Sequence, residues 1–257
     1  MSPFVDRQQA LRILINGATG GIGSSLVRKA LNEFPNAQIV ATGRREQALK
    51  ALQESCGEHG DRIQTMCFDA LSEADLTSLS TNLKERWGSL DVCIHTIGAL
   101  HGDGLKPEKS LRDLSKDTLV SSYTINTVSF LLLAKHLHKV FRHEKPSIFA
   151  AISAKVGSIG DNQLGGWYSY RASKAALNMA VCNVGLEYQR TGCKTVTVAI
   201  HPGTTETDLS KPFIGGYPAD QLSTPDRTAE RLLSMLEKLT PAENGRFLNW
   251  DGSPLPW

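Results

Sequence analysis

The 257-residue chain has no long hydrophobic run. Its purest apolar stretch, Phe130-Leu131-Leu132-Leu133-Ala134, is far too short to cross a bilayer, which takes about 20 apolar residues. Residues 1–10 hold no apolar core of signal-peptide length, so a cytoplasmic chain is expected. Charge of one sign is missing too. The 28 Lys and Arg against 26 Asp and Glu leave a formal charge of +2, which gives neither nucleic acid nor an anionic membrane a reason to bind. The five cysteines (Cys56, Cys67, Cys93, Cys182, Cys193) are odd in number, widely spaced and never arranged as Cys-x-x-Cys. They point to neither a zinc site nor a disulfide framework, and no metal is expected. No internal repeat, low-complexity tract or linker interrupts the chain, so residues 1–257 read as a single domain.

What is present is an alternation of short apolar runs and helical stretches. Residues 11–16 read as a buried strand, followed by Gly17-Ala18-Thr19-Gly20-Gly21-Ile22-Gly23 and a helical stretch over residues 24–34. Strand, glycine turn and helix form the geometry that holds a pyrophosphate: glycines let the backbone approach, and the helix start supplies free N–H groups. The spacing is Gly-x-x-x-Gly-x-Gly, not the commoner Gly-x-Gly-x-x-Gly. Residues 38–42 read as a second strand, ended by Gly43-Arg44-Arg45 with no acid at the strand end. An acid there would suit the ribose 2′-hydroxyl of NAD, whereas arginine suits the 2′-phosphate of NADP, so Arg44 and Arg45 favour NADP(H) over NAD(H). A solvated basic turn is the plainer alternative. A third strand over residues 62–68 ends at Asp69, which either meets an adenine or caps the next helix, residues 72–87.

A fourth strand runs into Gly98, a long helix over residues 117–140 carries Asn126, and a fifth strand ends at Ser153. A sixth strand ends at Pro202-Gly203-Thr204-Thr205-Glu206-Thr207, and residues 208–224 form a Gly-, Pro- and Ser-rich segment of lid length. A helix over residues 225–239 and a short strand over residues 245–250 complete the pattern. Such alternation predicts an α/β, doubly wound (Rossmann) three-layer sandwich with a mainly parallel sheet of about seven strands. Ligands of such sheets sit at the carboxyl ends of the strands, which gathers the glycine turn, Arg44, Asp69 and Gly98 on one edge.

After the loop over residues 154–166, the stretch that follows Gly165-Gly166 holds no Gly or Pro until Gly185 and predicts a helix on which Tyr170 and Lys174, four apart, share a face. An ammonium beside a phenol lowers its pKa, and such a tyrosine can give a proton to a carbonyl oxygen or take one from an alcohol. A tyrosine packed on a lysine stem is the bland reading of the pair alone.

Taken together, these residues resemble the short-chain dehydrogenase/reductase family along nearly the whole chain, and most closely its C-factor and sniffer-type carbonyl reductase branch. Asn16 to Gly23 match the family's cofactor motif, with Asn16 where threonine is usual, and Tyr170-Arg171-Ala172-Ser173-Lys174 match its Tyr-x-x-x-Lys motif. Asn126 matches the asparagine that completes the catalytic tetrad, and the turn from Pro202 to Thr207 matches the one that holds the nicotinamide end. The resemblance implies a nicotinamide cofactor contacting Gly17, Thr19, Gly20, Gly21, Ile22, Gly23, Arg44, Arg45, Asp69, Gly98, Tyr170, Lys174, Pro202, Gly203, Thr205 and Thr207. It implies hydride exchange with a small-molecule ketone, aldehyde or alcohol. Tyr170 is then the general acid, Lys174 its helper, Ser153 the group steadying the carbonyl oxygen and Asn126 the holder of a relay water. Homodimers or homotetramers built on the two long helices are implied as well. Two departures stand out. The family's Asn-Asn-Ala-Gly is His95-Thr96-Ile97-Gly98 here, and the usual serine position is Ala154, with Ser153 adjacent and Ser158 further on. They feed a second reading, a nucleotide-binding C-factor-like signalling protein with weak chemistry. Leu100, His101, Leu164, Trp167 and Phe213 are expected to line an apolar substrate pocket.

Overall fold

The computed structural model describes residue 2, residues 7–102 and residues 104–257. The leader reading of residues 1–10 therefore falls partly outside the described residues. Seven strands, β1 (Arg12–Asn16), β2 (Gln38–Gly43), β3 (Ile63–Cys67), β4 (Val92–His95), β5 (Ser147–Ile152), β6 (Thr195–His201) and β7 (Phe247–Asn249), form one sheet. Their order is β3-β2-β1-β4-β5-β6-β7 and every pair is parallel. The order reverses between β1 and β4, the switch point at which a crevice opens beyond the strand ends.

The helices are α1 (Gly21–Glu33), α2 (Glu46–Ser55), α3 (Glu73–Trp87), α4 (Lys116–Tyr123), α5 (Ser129–Phe141), α6 (Tyr168–Arg190) and α7 (Pro225–Glu237). Side chains alternate across a strand, so each strand feeds two cores. Ile13, Ile15, Val92, Ile94, Val198 and Ile200 pack with α1 and α7 residues such as Leu26 and Leu232. Leu14, Val40, Cys93, Phe149 and Ala199 pack on the other face with Leu79 of α3, Phe130 of α5 and Leu177 of α6. That is why the strands read as continuous apolar runs rather than alternating ones. Each such Leu or Phe removed from water contributes roughly 1.5–3 kcal/mol. Beneath the sheet, Arg12 donates Nε and a terminal NH2 to the Asp91 carboxylate, both at 2.8 Å, fastening β1 to the start of β4.

Two elements differ from the sequence pattern. α2 adds a helix not predicted from it. The predicted helix over residues 117–140 is broken by a π-helical turn, Thr124–Val128, between α4 and α5. Four of those five residues are β-branched and tolerate a regular helix poorly, and such turns concentrate at functional sites. α6 starts at Tyr168, just behind the two glycines as the sequence predicts, because Gly165, Gly166 and Trp167 all have left-handed φ of 64°, 65° and 49°. No described helix is long and apolar enough to cross a membrane.

Candidate active site

The carboxyl ends of β1, β2, β4, β5 and β6 open into a cleft of about 900 Å³. Its first wall is the glycine turn. Gly20 caps α1 with no side-chain hydrogen bond and no acid follows in the first turn, so the leading N–H groups stay available to an anion. The glycines are sterically required. A Cβ on Gly23 would lie 2.3 Å from the Gly17 carbonyl oxygen, and one on Gly21 would lie 2.8 Å from Thr207 Cγ2. Gly17, at φ +92°, has room for nothing larger because Thr96 Oγ1 would stand 2.6 Å away. Arg44 and Arg45 line the same cleft, both exposed, and neither has an ion-pair partner among the described residues. Bare backbone donors beside two guanidinia without ion-pair partners are groups that can hold phosphates.

Beneath this wall Asn16 and His95 meet in one buried hydrogen-bond chain. Thr42 Oγ1 donates to Asn16 Oδ1 at 2.8 Å, and Asn16 Nδ2 then faces His95 Nδ1 at 3.1 Å. His95 Nε2 faces Ser129 Oγ at 3.3 Å, and Ser129 donates to the Ile125 carbonyl at 2.6 Å. Every donor has an acceptor if His95 is neutral with its proton on Nε2. Burial, with Lys174 adding repulsion, pushes His95 down to about 3, so it stays neutral. The Asn16 amide thus links Thr42 to His95 across β1, β2 and β4. Thr96 supports the turn directly, donating toward the Asn16 and Gly17 carbonyls, both at 3.0 Å.

The opposite wall carries Tyr170 and Lys174, which share one buried face of α6 as their spacing predicts. Lys174 Nζ donates to the Ile152 carbonyl at 2.9 Å and stands 5.9 Å from the Tyr170 ring centroid. Gly98 leaves it room, since a Cβ there would be 3.2 Å from Nζ. The expected acidification of the phenol is not what the surroundings produce. Burial raises the Tyr170 pKa above its ordinary value, and burial lowers Lys174 to about 8. Desolvation penalises both charged forms and outweighs their mutual attraction. The tyrosine is therefore held as a neutral acid.

Ser153 is the sharper correction. It borders the cleft, but its hydroxyl is turned into α6 and donates to Asn178 Oδ1 at 2.6 Å. Its proton cannot serve a substrate oxygen while it holds that bond. Neighbours on a strand end point opposite ways, so the next residue, Ala154, faces the cleft with no hydroxyl to offer. Ser158 instead donates toward the Trp257 carbonyl at 3.3 Å. Asn126 is also occupied. It is fully buried in the π-helical turn, accepts from the Ala99 N–H at 2.8 Å and donates to the Ala99 carbonyl at 3.0 Å. Its side chain clamps the loop after β4 and does not line the cleft.

Asp69 ends β3 on the expected edge but lies outside the cleft lining, where its carboxylate accepts from the Leu71 N–H at 3.0 Å. Ser72, not Asp69, caps α3. Pro202, Gly203, Thr205 and Thr207 all line the cleft after β6. The lid then folds over it. His101 Nε2 donates to the Asp208 carbonyl at 3.0 Å. Phe213 sits edge-on to His101 at 5.6 Å and to Trp167 at 5.0 Å, and Trp167 is edge-on to Tyr170 at 6.3 Å. Of the expected pocket residues, Leu100 and His101 line the cleft, Trp167 and Phe213 form this closure, and Leu164 is 91% exposed. Sequence reasoning passed over His201, Thr96 and Asn178. His201, placed directly before Pro202-Gly203, lines the cleft with an Nδ1 that is buried and unpartnered. Burial pushes it down to about 4. Its position at a strand end was the available signal.

The chain is similar to known proteins along most of its length. The family model described as short chain dehydrogenase matches residues 12–215. A 1-hydroxy-2-glutathionyl-2-methyl-3-butene dehydrogenase of Rhodococcus sp. strain AD45 is 31% identical over 189 residues, 74% of this chain and 78% of that one. The C-signal protein of Myxococcus xanthus is 32% identical over 170 residues, 66% of this chain and 94% of that one. The NADPH-bound carbonyl reductase from chicken fatty liver superposes with a TM-score of 0.83 at 26% identity, covering 97% of this chain and all (100%) of that one.

Proposed function

The chain belongs to the short chain dehydrogenase family, an oxidoreductase acting on CH–OH and C=O groups, and from that premise we propose that it is an NADP(H)-dependent reductase of small ketones or aldehydes with Tyr170 as general acid. The observation that carries this is the meeting of a bare glycine cradle, two unpaired arginines and a buried Tyr–Lys pair in one cleft. Residues 1–257 act as one nucleotide-binding domain in this reading. NADPH, when bound, supplies the hydride. Gly20 to Gly23 present N–H groups to its pyrophosphate, Arg44 and Arg45 take the 2′-phosphate, and the turn from Pro202 to Thr207 holds the far end. Tyr170 keeps its proton at neutral pH and gives it to the carbonyl oxygen as negative charge develops there. Lys174 then stabilises the phenolate left behind. The lid excludes water from that exchange. Exposed Val120, Tyr123, Leu131, Met179 and Leu186 on α4 to α6 favour a homodimer or homotetramer through those helices.

The test is the decay of NADPH absorbance with a panel of ketones, aldehydes and quinones, run in parallel with NADH. Turnover that prefers NADPH is expected. The missing hydroxyl at Ala154 and the likeness to the C-signal protein support a second reading, a nucleotide-binding signalling protein. Tight NADPH binding with no turnover across the panel would favour it.

A further inference from the structure

A second cavity of about 340 Å³ adjoins the cleft and shares His201, Gly203 and Thr204 with it. Nothing in the reduction described above uses it. It lies beyond the Pro-Gly turn, between the lid and the end of β7, and two of its lining residues are cations, Lys155 and Arg231. The Arg231 guanidinium lies over the Trp250 ring, 4.1 Å from its centroid, and donates one terminal N–H to Ser223 Oγ at 2.8 Å. Ser223 is itself fixed, donating its N–H to the Thr204 carbonyl and accepting from the Glu206 N–H, both at 2.9 Å. The guanidinium is thus held by a ring below and a hydroxyl at one corner. It has no carboxylate partner among the described residues. Guanidinium groups carry five donors in a planar fork matched to a carboxylate, and most of this fork is unused. Among the described residues Lys155 has one ion-pair partner, Asp161, at 3.4 Å, and both are about half exposed, so that pair competes weakly for the ammonium. The neutral His201 adds no repelling charge of either sign, and its buried Nδ1 lacks a partner. Asp220, on the exposed lid side, is the one carboxylate lining the cavity.

We propose that this cavity is a subsite for a carboxylate borne by the substrate, held by Arg231 and Lys155 while the reacting carbonyl sits at Tyr170. The substrate class is then an oxo acid whose carboxylate is separated from the carbonyl by a spacer long enough to pass the Pro-Gly turn. This rests on the reductase reading for the carbonyl end, whereas the anion end stands on the cavity alone. A planar anion gains charge-assisted bonds from a fork that is already immobilised, so little side-chain freedom is lost on binding.

The experiment compares the semialdehydes of glutaric, adipic and suberic acids with their methyl esters. Binding is followed by intrinsic tryptophan fluorescence without cofactor, and turnover by NADPH absorbance. At least one acid should bind about tenfold tighter than its ester, the size of a single charge-assisted bond. Arg231→Gln should erase that preference and leave ester turnover unchanged, and Asp220→Asn should sharpen it. Equal affinity for every acid and its ester in the unaltered protein would overturn the subsite. So would a preference that survives Arg231→Gln combined with Lys155→Gln. Acid-selective binding without NADPH oxidation would uphold the subsite and sink the reductase reading. Ester turnover without acid preference would do the reverse.

Discussion

The two walls of the cleft are built on different principles. The nucleotide wall, from the glycine turn to Arg45, is made of backbone: N–H groups at a helix start and glycines whose replacement would put a Cβ as close as 2.3 Å to a carbonyl oxygen. The substrate wall is made of side chains whose roles depend on their neighbours. Tyr170 is kept neutral by burial, Ser153 is drawn away by Asn178, and Trp167 is held at a left-handed φ of 49° against Tyr170 and Phe213. The backbone part of the nucleotide wall tolerates no change at its glycines, and Arg44 and Arg45 are the side chains that add charge to it. A side-chain site can be retuned by one hydroxyl.

The contrast can be broken first at Tyr170. Tyr170→Phe should lower carbonyl turnover by about 10²–10⁴-fold, the worth of a general acid, with NADPH affinity unchanged by fluorescence titration. Near-normal reduction by this variant would remove the tyrosine from the chemistry. On the other wall, Arg44→Ala with Arg45→Ala should weaken NADPH by about 10²-fold, at roughly 1.5–3 kcal/mol per charged hydrogen bond. NADH binding should be spared, and an unchanged NADPH/NADH ratio would refute the 2′-phosphate assignment. The serine position gives a smaller and more informative effect. Ala154→Ser should raise kcat by about tenfold, a fraction of what an evolved oxyanion donor supplies. Ser153→Ala should show mainly in Tm, because its hydroxyl serves the Asn178 amide. The reverse pattern, a collapse with Ser153→Ala and no gain with Ala154→Ser, would hand the role back to Ser153. Smallest is a pH effect. Lys174, lowered by burial to about 8, loses its proton as pH rises through that value. The charge that steadies the phenolate is then lost, so kcat for reduction should fall severalfold above about pH 8 and be flat below it. A Lys174→Met variant, measured at whatever activity remains, should lack that inflection.

The same contrast explains how far the sequence could be read. Gly17, Gly21 and Gly23 were legible because only one residue type fits a turn that tight, and the strand before it and helix after it are written in local periodicity. The parallel sheet followed from the alternation of strand and helix. Tyr170 and Lys174 were legible as a shared helix face. Their proton affinities were not, because desolvation depends on residues distant in the chain, and it reversed the expected shift of the phenol. The π-helical turn at Thr124–Val128 left only a weak trace, a run of β-branched residues. The match of Asn16 with His95 was invisible too, since a hydrogen bond between residues 79 apart exists only once β1 and β4 are adjacent.

Local sequence therefore determined the alternating elements, the glycine cradle, the basic turn at Arg44 and Arg45 and the spacing of the Tyr–Lys pair. These are properties of residue type and near-neighbour geometry. Tertiary structure alone decided which way Ser153 faces, that Asn126 braces a loop, that His95 stays neutral and that Arg231 lies over Trp250 with no carboxylate partner among the described residues. Each depends on which distant group fills the space beside a side chain, and on how much water that packing removes.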